Sequence, residues 1–277
     1  AALMVGRAVV MPTRQRRATG ATVVAVSAVH ARDVRSHALL DGVDLTVAAG
    51  EIVAIAGVAG NGQQTLAELL SGTLAPERGT VTPAGRALPA EPRSWIAARV
   101  ARIPEDRHAV GVVGDLAVWE NAIAERLRTP AFTRAGFVRR AAGRAHAQEV
   151  VRRFDVRCSG IDVAARSLSG GNMQKLILGR ALSVGAGAPP AFIIADQPTW
   201  GLDIGAVAYV HQCLLDAAGA GAAVLLISED LDEIFALADR IGVMHHGRLS
   251  PLRPAEAWTL AAIGLAMAGT DGAAHAA

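Results

Sequence analysis

Residues 51–72 read EIVAIAGVAGNGQQTLAELLSG, and this stretch decides the fold. The apolar run at 51–56 has the length of a buried strand. A glycine-rich loop at 57–62 follows it, and leucines then recur at helical spacing. Successive backbone N–H groups of such a loop, together with the N-terminus of the next helix, can hold a phosphate. The stretch therefore predicts a strand, a phosphate loop and a helix, although a tight turn without a ligand fits this loop equally well.

The polar residues of the loop are amides at positions where phosphate binding usually uses a lysine and a hydroxyl. Gln63 stands where a lysine reaches the β- and γ-phosphates, and Gln64 where a serine or threonine ligates Mg²⁺. Lys175 is the only lysine and lies far along the chain. A hydrogen bond to a charged group contributes about 1.5–3 kcal/mol, against about 1 kcal/mol for a neutral one. We therefore expect weakened nucleotide binding. The loop residues assigned to it are Gly57, Gly60, Asn61, Gly62, Gln63, Gln64 and Thr65.

The composition is that of one large domain, or of one domain with a subdomain. The chain has 277 residues, of which 52% are hydrophobic and only 4% aromatic, so Ala, Val, Leu and Ile make up most of its core. A net charge of +2 is too small to indicate a nucleic-acid partner. The apolar stretch at 257–269 is too short to cross a bilayer, and the N-terminus has no secretory pattern. We expect a cytoplasmic chain whose membrane role requires a partner.

The hydrophobic pattern also predicts the elements around the loop. Strands that alternate with helices imply a parallel sheet covered on both faces. The arginine- and alanine-rich middle, from about 106 to 182, is predicted to be mostly helical. The predicted strands are 23–26, 43–47, 192–195, 223–227 and 240–244, and the predicted helices outside the middle are 207–218 and 234–238.

A second glycine-containing motif, LSGGNMQK at 168–175, precedes an apolar helix. Ser169 can cap that helix, and the glycines let its N-terminus approach an anion closely. Because helix caps are common, the evidence for a functional motif comes from its order and spacing relative to the motifs that follow it. The motif is followed by a buried strand that ends in DQPT at 196–199, by GLD at 201–203, and then by helix, strand and Ser228.

From Thr22 to Leu249 this ordered set of motifs resembles the ATP-binding-cassette (ABC) ATPases. The resemblance implies an α/β fold with a P-loop NTPase core, a mostly parallel sheet, an N-terminal antiparallel β-subdomain and an inserted α-helical subdomain. It implies ATP and Mg²⁺ as cofactors, with each ATP held between the phosphate loop of one domain and the signature of another. The signature residues for a partner's ATP are Ser169, Gly170, Gly171 and Gln174. The expected domains are a linker or disordered lead at 1–21, a core with its β-subdomain at 22–105 and 183–250, a helical subdomain with the signature at 106–182, and a C-terminal tail at 251–277.

The departures from the family pattern concentrate around the chain's own phosphate loop. By resemblance, Asp196 lies near Mg²⁺ and Asp203 lies in the loop that crosses the domain interface. Gln197 takes the place of the glutamate that activates water, and a glutamine can hold a water but cannot accept its proton. Glu229 takes the place of the switch histidine near the γ-phosphate. Glu105 stands where the family has a glutamine that touches the metal and signals to the permease. We therefore expect no complete catalytic set in this chain.

Residues 103–108, IPEDRH, together with Glu120 and Asn121, resemble the second cassette of fused sugar- and nucleoside-importer ATPases. The stretch ISEDLDE at 227–233 is similar to the nucleoside branch in particular. The opening LMVGR at 3–7 resembles the end of a first cassette, so the chain is expected to be the second half of a longer polypeptide. Trp119 is either an exposed anchor for a permease or a buried side chain.

The leading hypothesis is an importer cassette that hydrolyses ATP weakly or not at all by itself and completes the ATP site of an intact partner cassette. Its other expected partners are transmembrane permease subunits, contacted through residues 105–121, and indirectly an extracytoplasmic solute-binding protein. The expected location is the inner face of the cell membrane. Three alternatives stay open: a soluble cassette protein of translation or DNA repair, a nucleotide-free scaffold, and a self-sufficient ATPase that tolerates Gln63.

Overall fold

The computed structural model describes residues 10–15, 18–32, 38–83, 85–183 and 188–269. The stretch at 3–7 that resembles the end of a first cassette lies outside them. The strands are β1 (Thr22–Arg32), β2 (Ala38–Ala48), β3 (Ile52–Ala56), β4 (Arg78–Pro83), β5 (Val100–Ile103), β6 (Thr133–Arg134), β7 (Phe137–Val138), β8 (Phe192–Asp196), β9 (Ala223–Ser228), β10 (Arg240–His245), β11 (Arg248–Leu249) and β12 (Arg253–Pro254). The α-helices are α1 (Gln63–Leu70), α2 (Pro92–Ala97), α3 (Val118–Ile123), α4 (Arg140–Arg153), α5 (Gly170–Leu182), α6 (Ile204–Gly219), α7 (Leu231–Leu237) and α8 (Leu260–Met267), with a π-helical turn at Arg107–Gly111.

The central sheet has the strand order β11-β10-β3-β9-β8-β5, and β12 pairs with β10. The strands from β10 to β5 are parallel, whereas β11 and β12 are antiparallel additions at the edge. Every residue of β3, β8 and β9 is buried, which explains why these strands are continuous apolar runs in the sequence. The predicted parallel core is confirmed. The sequence analysis missed β5, whose four residues include Arg102.

The sheet separates two apolar cores, because successive residues of a strand point to opposite faces. In β3, Ile52 and Ala54 pack into one core, together with residues from the helices α4, α5 and α6. Val53 and Ile55 pack into the other core, with α1 and the antiparallel strands. The prediction that both faces of the sheet are covered is confirmed.

The strands β2, β1 and β4 form a separate antiparallel sheet. Val24 and Val26 of β1 are buried, in the alternating pattern of a strand with one covered face. This sheet packs its apolar side onto the core that contains α1. The expected antiparallel β-subdomain is therefore confirmed, although β4 was not predicted, because its residues 78–80 are exposed and include Gly79.

The middle of the chain is largely helical, as predicted, with one short hairpin of β6 and β7. Helices α3, α4 and α5 pack together, and Trp119 lies half-buried against Gly143. Gly179 of α5 allows the closest approach of α4, because a Cβ there would lie 2.5 Å from Val150 Cγ1. No helix among the described residues combines the length and the hydropathy that a membrane span needs.

The segment after β11 packs onto the sheet edge through β12 and α8. Trp258 is buried, and its Nε1–H donates a hydrogen bond to the Ile241 carbonyl at 3.1 Å. On the same strand, Arg240 Nε lies 2.6 Å from Glu51 Oε1, next to the start of β3. Residues 253–267 therefore form part of the folded unit.

Gly179→Ala is expected to lower the free energy of unfolding by about 1–3 kcal/mol, because the added methyl group has no room between α4 and α5. Urea denaturation followed by circular dichroism measures the change. Gly264→Ala is the matched control, since nothing lies within 4 Å of a Cβ added at that position in α8. The control is expected to gain about 0.5–1 kcal/mol from helix propensity. Equal effects of the two substitutions would contradict the packing of α4 against α5.

Candidate nucleotide site

Four loops of the candidate site lie side by side at the carboxyl ends of the parallel strands of the central sheet. The adjacent strands β3, β9, β8 and β5 are followed by Gly57, Glu229, Gln197 and Glu105 respectively, with one linking residue before Glu105. The register sets them side by side, since Ala56 pairs with Ser228 and Asp196 with Ile227. A crevice outside the carboxyl ends of the strands is the usual ligand site of such sheets.

Two glycines of the loop at 57–62 have no room for a side chain. A Cβ on Gly57 would lie 2.6 Å from the Met244 carbonyl oxygen, and one on Gly62 would lie 2.5 Å from the Leu39 carbonyl oxygen. Gly62 also has a φ of 112°, in the region that favours glycine. Helix α1 begins immediately afterwards without a side-chain cap, so its first N–H groups are left for another acceptor. The loop therefore has the backbone shape that a phosphate site needs.

The interior of this loop is occupied by the Gln63 side chain, which is 8% exposed. Its Oε1 accepts a hydrogen bond from the Asn61 backbone N–H at 3.1 Å, and its Nε2 donates to the Val58 carbonyl at 3.0 Å. A Cβ on Gly57 would lie 2.5 Å from the same Nε2. The Gln63 carboxamide therefore accepts the hydrogen bond of the Asn61 N–H, a donor that a bound phosphate would otherwise use.

Asn61 ties the loop to the turn between β10 and β11. Its Nδ2 donates to the Val58 carbonyl at 2.9 Å, and its Oδ1 accepts from the His246 N–H at 2.8 Å. The Gly247 N–H donates to the Asn61 carbonyl at 2.8 Å. These contacts hold the loop closed around Gln63. One N–H of the Asn61 amide is used within the loop.

A cleft of about 650 Å³ lies beside the loop. Its lining carries both signs of charge, with Glu68, Glu105, Asp106 and Asp196 together with Arg102, Arg107 and His108, and it includes Gln64. Gln64 Nε2 donates to Glu68 Oε1 at 3.2 Å. Burial, and to a smaller extent the charges of Glu105 and Glu68, raise the pKa of Asp196 to about 7, while Arg102 acts in the opposite direction. A cation or a proton is therefore favoured at Asp196.

The carboxylates of this cleft do not by themselves complete a metal site. Among the residues that the structure describes, no cluster of three or more His, Cys, Asp or Glu side chains could hold a metal ion. Mg²⁺ is commonly held by one or two carboxylates together with the phosphates of a substrate. Asp196 fits that arrangement, in which a nucleotide supplies the remaining oxygens.

Gln197 and the residue in the switch position are in direct contact. Gln197 has a φ of 46°, and its backbone N–H donates to the Ile227 carbonyl at 2.8 Å. Its Oε1 accepts from the Glu229 backbone N–H at 3.4 Å. The strand that would present a general base thus presents a neutral amide, turned toward the loop after β9.

The signature motif stands at the N-terminus of α5, which begins at Gly170. Ser169 occupies the cap position, as predicted, but its predicted cap hydrogen bond is wrong. Ser169 Oγ accepts from Asn172 Nδ2 at 2.9 Å, and no N–H of the helix bonds to it. Ser169 is exposed, and Gly170 and Gly171 are half-buried, so this helix end is open to an anion.

Two other predicted site residues have structural partners. The Gln174 side chain is buried, and its Nε2 donates to the Pro198 carbonyl at 2.7 Å, which joins α5 to the loop after β8. Asp203 caps α6, where its Oδ1 accepts from the Gly205 and Ala206 N–H groups at 3.0 Å each. Gln174 thus ties the loop after β8 to the signature helix, and Asp203 fixes the end of the same loop at α6.

A buried polar contact that the sequence did not predict lies behind this loop. Glu233 Oε1 accepts from Thr199 Oγ1 at 2.9 Å and lies 3.0 Å from His211 Nε2. The contact joins the loop after β8 to α6 and α7. A signal for it is present in the sequence, because His211 lies on the same helical stripe as the buried Leu214 and Leu215.

Arg107 and Trp200 were also missed as site residues. Arg107 is 9% exposed, and its Nη2 donates to the Trp200 carbonyl, whereas the Trp200 side chain is 64% exposed. Arg107 lies only two positions after Glu105, so its place in the IPEDRH motif was the available signal.

Comparison with known proteins identifies the family. The ABC transporter family matches residues 40–200. A glucose import ATP-binding protein of Haloferax volcanii is 43% identical over 255 residues, which are 90% of this chain and 45% of the relative. A guanosine import ATP-binding protein of Bacillus subtilis is 39% identical over 273 residues, which are 98% of this chain and 52% of the relative. The chain spans about half the length of these curated relatives.

Solved structures share the fold. An ATP-binding subunit of an ABC transporter aligns with a TM-score of 0.68 at 21% identity, over 91% of this chain and 95% of that one. A nucleotide-free ATP-binding cassette from an ABC transporter aligns with a TM-score of 0.68 at 20% identity, over 84% and 91%. The family match covers more than half of the chain and the import ATP-binding proteins cover most of it, so the chain belongs to the ABC transporter family of ATP-binding proteins.

Proposed function

We propose that this chain is the nucleotide-binding domain of an importer for sugars or nucleosides, and that its signature completes an ATP site whose phosphate loop belongs to another cassette. The observation that carries the proposal is the contrast between two glycine motifs of the same chain. The N-terminus of α5 is open at Ser169, Gly170 and Gly171, whereas the loop before α1 is closed around Gln63.

The chain's own phosphate loop retains weak affinity for ATP in this proposal. A phosphate has to displace the Gln63 carboxamide, which costs two neutral hydrogen bonds of about 0.5–1.5 kcal/mol each. Once displaced, Gln63 offers a neutral donor where a lysine would offer a charge. Gly57, Gly60, Gly62, Gln64 and Thr65 would line the bound phosphates. Asn61 would contribute its backbone N–H, Asp196 and Glu105 would line the adjoining cleft, and Asp203 would lie in the loop that crosses the interface with the other cassette.

Hydrolysis at this loop is absent or slow. Mg²⁺ would be held by Asp196 with the nucleotide's oxygens, and would supply charge neutralisation there. Gln197 can position a water through its amide but cannot accept a proton from it. Glu229 would place a carboxylate near the terminal phosphate, where like charges repel. ATP turnover in the assembly therefore takes place at the partner's phosphate loop, against this chain's signature.

The expected assembly contains a second cassette and a membrane permease. The import ATP-binding proteins that this chain matches are about twice as long, which supports an intact first cassette within the same native polypeptide. Residues 105–121, which include the half-buried Trp119, would face the permease. A solute-binding protein outside the membrane would take part indirectly. The chain would then be cytoplasmic and peripheral on the inner face of the membrane.

Ser169→Ala is expected to reduce ATP turnover of the assembled transporter by about tenfold or more, because a hydrogen bond to a charged phosphate contributes about 1.5–3 kcal/mol. Gln63→Ala is the paired variant and is expected to change turnover less than about twofold, since its loop is not the hydrolytic one in this account. Steady-state phosphate release at saturating ATP measures both. Comparable losses in the two variants would contradict the asymmetric site.

The isolated chain is the control for this experiment, with no measurable turnover expected. Robust hydrolysis by the chain alone would favour a self-sufficient ATPase that tolerates Gln63. Absence of nucleotide binding in both the isolated chain and the assembly would favour a scaffold. Function without any permease would favour a soluble cassette protein of translation or DNA repair.

Asp196→Asn is expected to raise the free energy of unfolding, by an amount that depends on pH. Below the ordinary pKa of 3.8 the carboxyl is protonated in both states, so the substitution has little effect. Between pH 3.8 and the raised folded-state pKa of about 7, the unfolded chain ionises while the folded chain keeps the proton. The gain should therefore grow over this range to about 4 kcal/mol and level off above it.

Urea denaturation of both proteins without nucleotide, at several pH values across this range, measures the gain. Asp203→Asn is a suitable comparison, because that side chain is exposed and caps a helix. A difference between wild type and Asp196→Asn that is the same at every pH would rule out the raised pKa.

A further inference from the structure

The guanidinium of Arg107 lies between the signature helix and the loop after β8. Its Nη2 donates to the Trp200 carbonyl, and a Cβ added at Gly170 would lie 3.1 Å from its Nη1. Arg107 is 9% exposed, although arginine is rarely buried without a partner. The side chain therefore contacts both segments that face a second cassette in the proposed function.

A short turn wedged against α5 holds Arg107 in this position. Asp106 Oδ1 accepts from the His108 N–H at 2.9 Å and from the Ala109 N–H at 2.8 Å, which caps the turn Arg107–Gly111. Gly111, at the end of the turn, packs so closely that a Cβ there would lie 2.5 Å from Ile177 Cδ1. The turn therefore packs directly against the signature helix.

The charge of Arg107 is poorly compensated within the described part of the chain. No carboxylate there lies within ion-pair distance of its guanidinium, whereas the buried Arg180 lies 3.0 Å from Glu125. The Asp106 carboxylate is directed to the backbone of its own turn. Burial lowers the pKa of Arg107, although the nearby charge of Asp106 acts in the opposite direction. A buried cation with so few partners has a free-energy cost in the isolated chain.

The location of the charge increases that cost. The N-terminus of α5 carries a partial positive charge, and a cation beside it is repelled. An anion bound at Gly170 and Gly171 reverses both effects, because it is attracted by the helix end and by the guanidinium behind it. The arrangement is therefore unfavourable without an anion at the signature and favourable with one.

We infer that Arg107 is a positioning residue of the signature site, which places a positive charge behind Gly170 for the terminal phosphate of a nucleoside triphosphate bound to another cassette. It acts through Gly170 and through the Trp200 loop, which it holds against the same helix end. The inference rests on the proposed function. Through Arg107, the IPEDRH motif would have a role in the ATP site in addition to the permease contact expected for that region.

The test compares Arg107→Gln with Arg107→Lys in the assembled transporter. The glutamine variant removes the charge and is expected to raise the KM for ATP about tenfold, with a smaller change in kcat. The lysine variant keeps the charge and should restore the KM to within about threefold of wild type. Arg128→Gln is the matched control, because Arg128 is exposed and lies outside the site, so its KM should not change.

Thermal unfolding of each variant separates this role from a purely structural one. A lower melting temperature of Arg107→Gln with an unchanged KM would overturn the inference, as would an equal rise in KM for both Arg107 variants. If the glutamine variant does not fold, a lysine variant with a KM more than about tenfold raised would overturn it, and a near-normal KM would support it. Ser169→Ala, measured in the same assembly, distinguishes a failure of the proposed function from a failure of this inference about Arg107. If Ser169→Ala has no effect, the proposed function fails, whereas a strong effect of Ser169→Ala with a neutral Arg107→Gln sinks this inference alone.

Discussion

The parallel pairing of β9 with both β3 and β8 determines where the loops of the site lie. Its register pairs Ala56 with Ser228 and Asp196 with Ile227, so the phosphate loop, the acidic strand end and the switch segment leave the sheet at the same level. A shift by one residue would turn each strand's side chains to the wrong core, since the two apolar cores take alternate residues of β3. Burial of both sheet faces therefore holds the site in register.

The two glycine motifs on this sheet differ in how far the chain's own side chains occupy them. The loop before α1 has its own side chains as partners, with Gln63 inside it and Asn61 tied to the turn after β10. At the end of α5, Asn172 is the only side chain among the described residues that bonds the Ser169 hydroxyl, and the helix N–H groups lack a side-chain acceptor, as they do at the start of α1. An anion at the phosphate loop has to displace the Gln63 carboxamide from the Asn61 N–H and the Val58 carbonyl, whereas an anion at the signature meets an exposed helix end. This difference is the physical basis of the proposal that the chain completes a partner's ATP site.

Most of the fold could be predicted from the sequence because its central strands are buried on both faces and appear as continuous apolar runs. The strands β4 and β5 were missed, since β4 is partly exposed and β5 is short and contains Arg102. The motifs located the candidate site, but not the directions of its side chains. The bond of Gln63 to its own loop, that of Ser169 to Asn172 and the burial of Arg107 depend on tertiary contacts that no local pattern encodes.

The central claim is that a pair of cassettes has one hydrolytic ATP site, formed by this chain's signature and the other cassette's phosphate loop. Trapping of ADP with orthovanadate during turnover, followed by counting the nucleotide retained per assembled pair, tests it most directly. A photoreactive ATP analogue in the same experiment identifies the labelled phosphate loop. The account predicts one trapped nucleotide per pair, with label on the partner's loop. Two trapped nucleotides per pair, or label on the loop around Gln63, would contradict it.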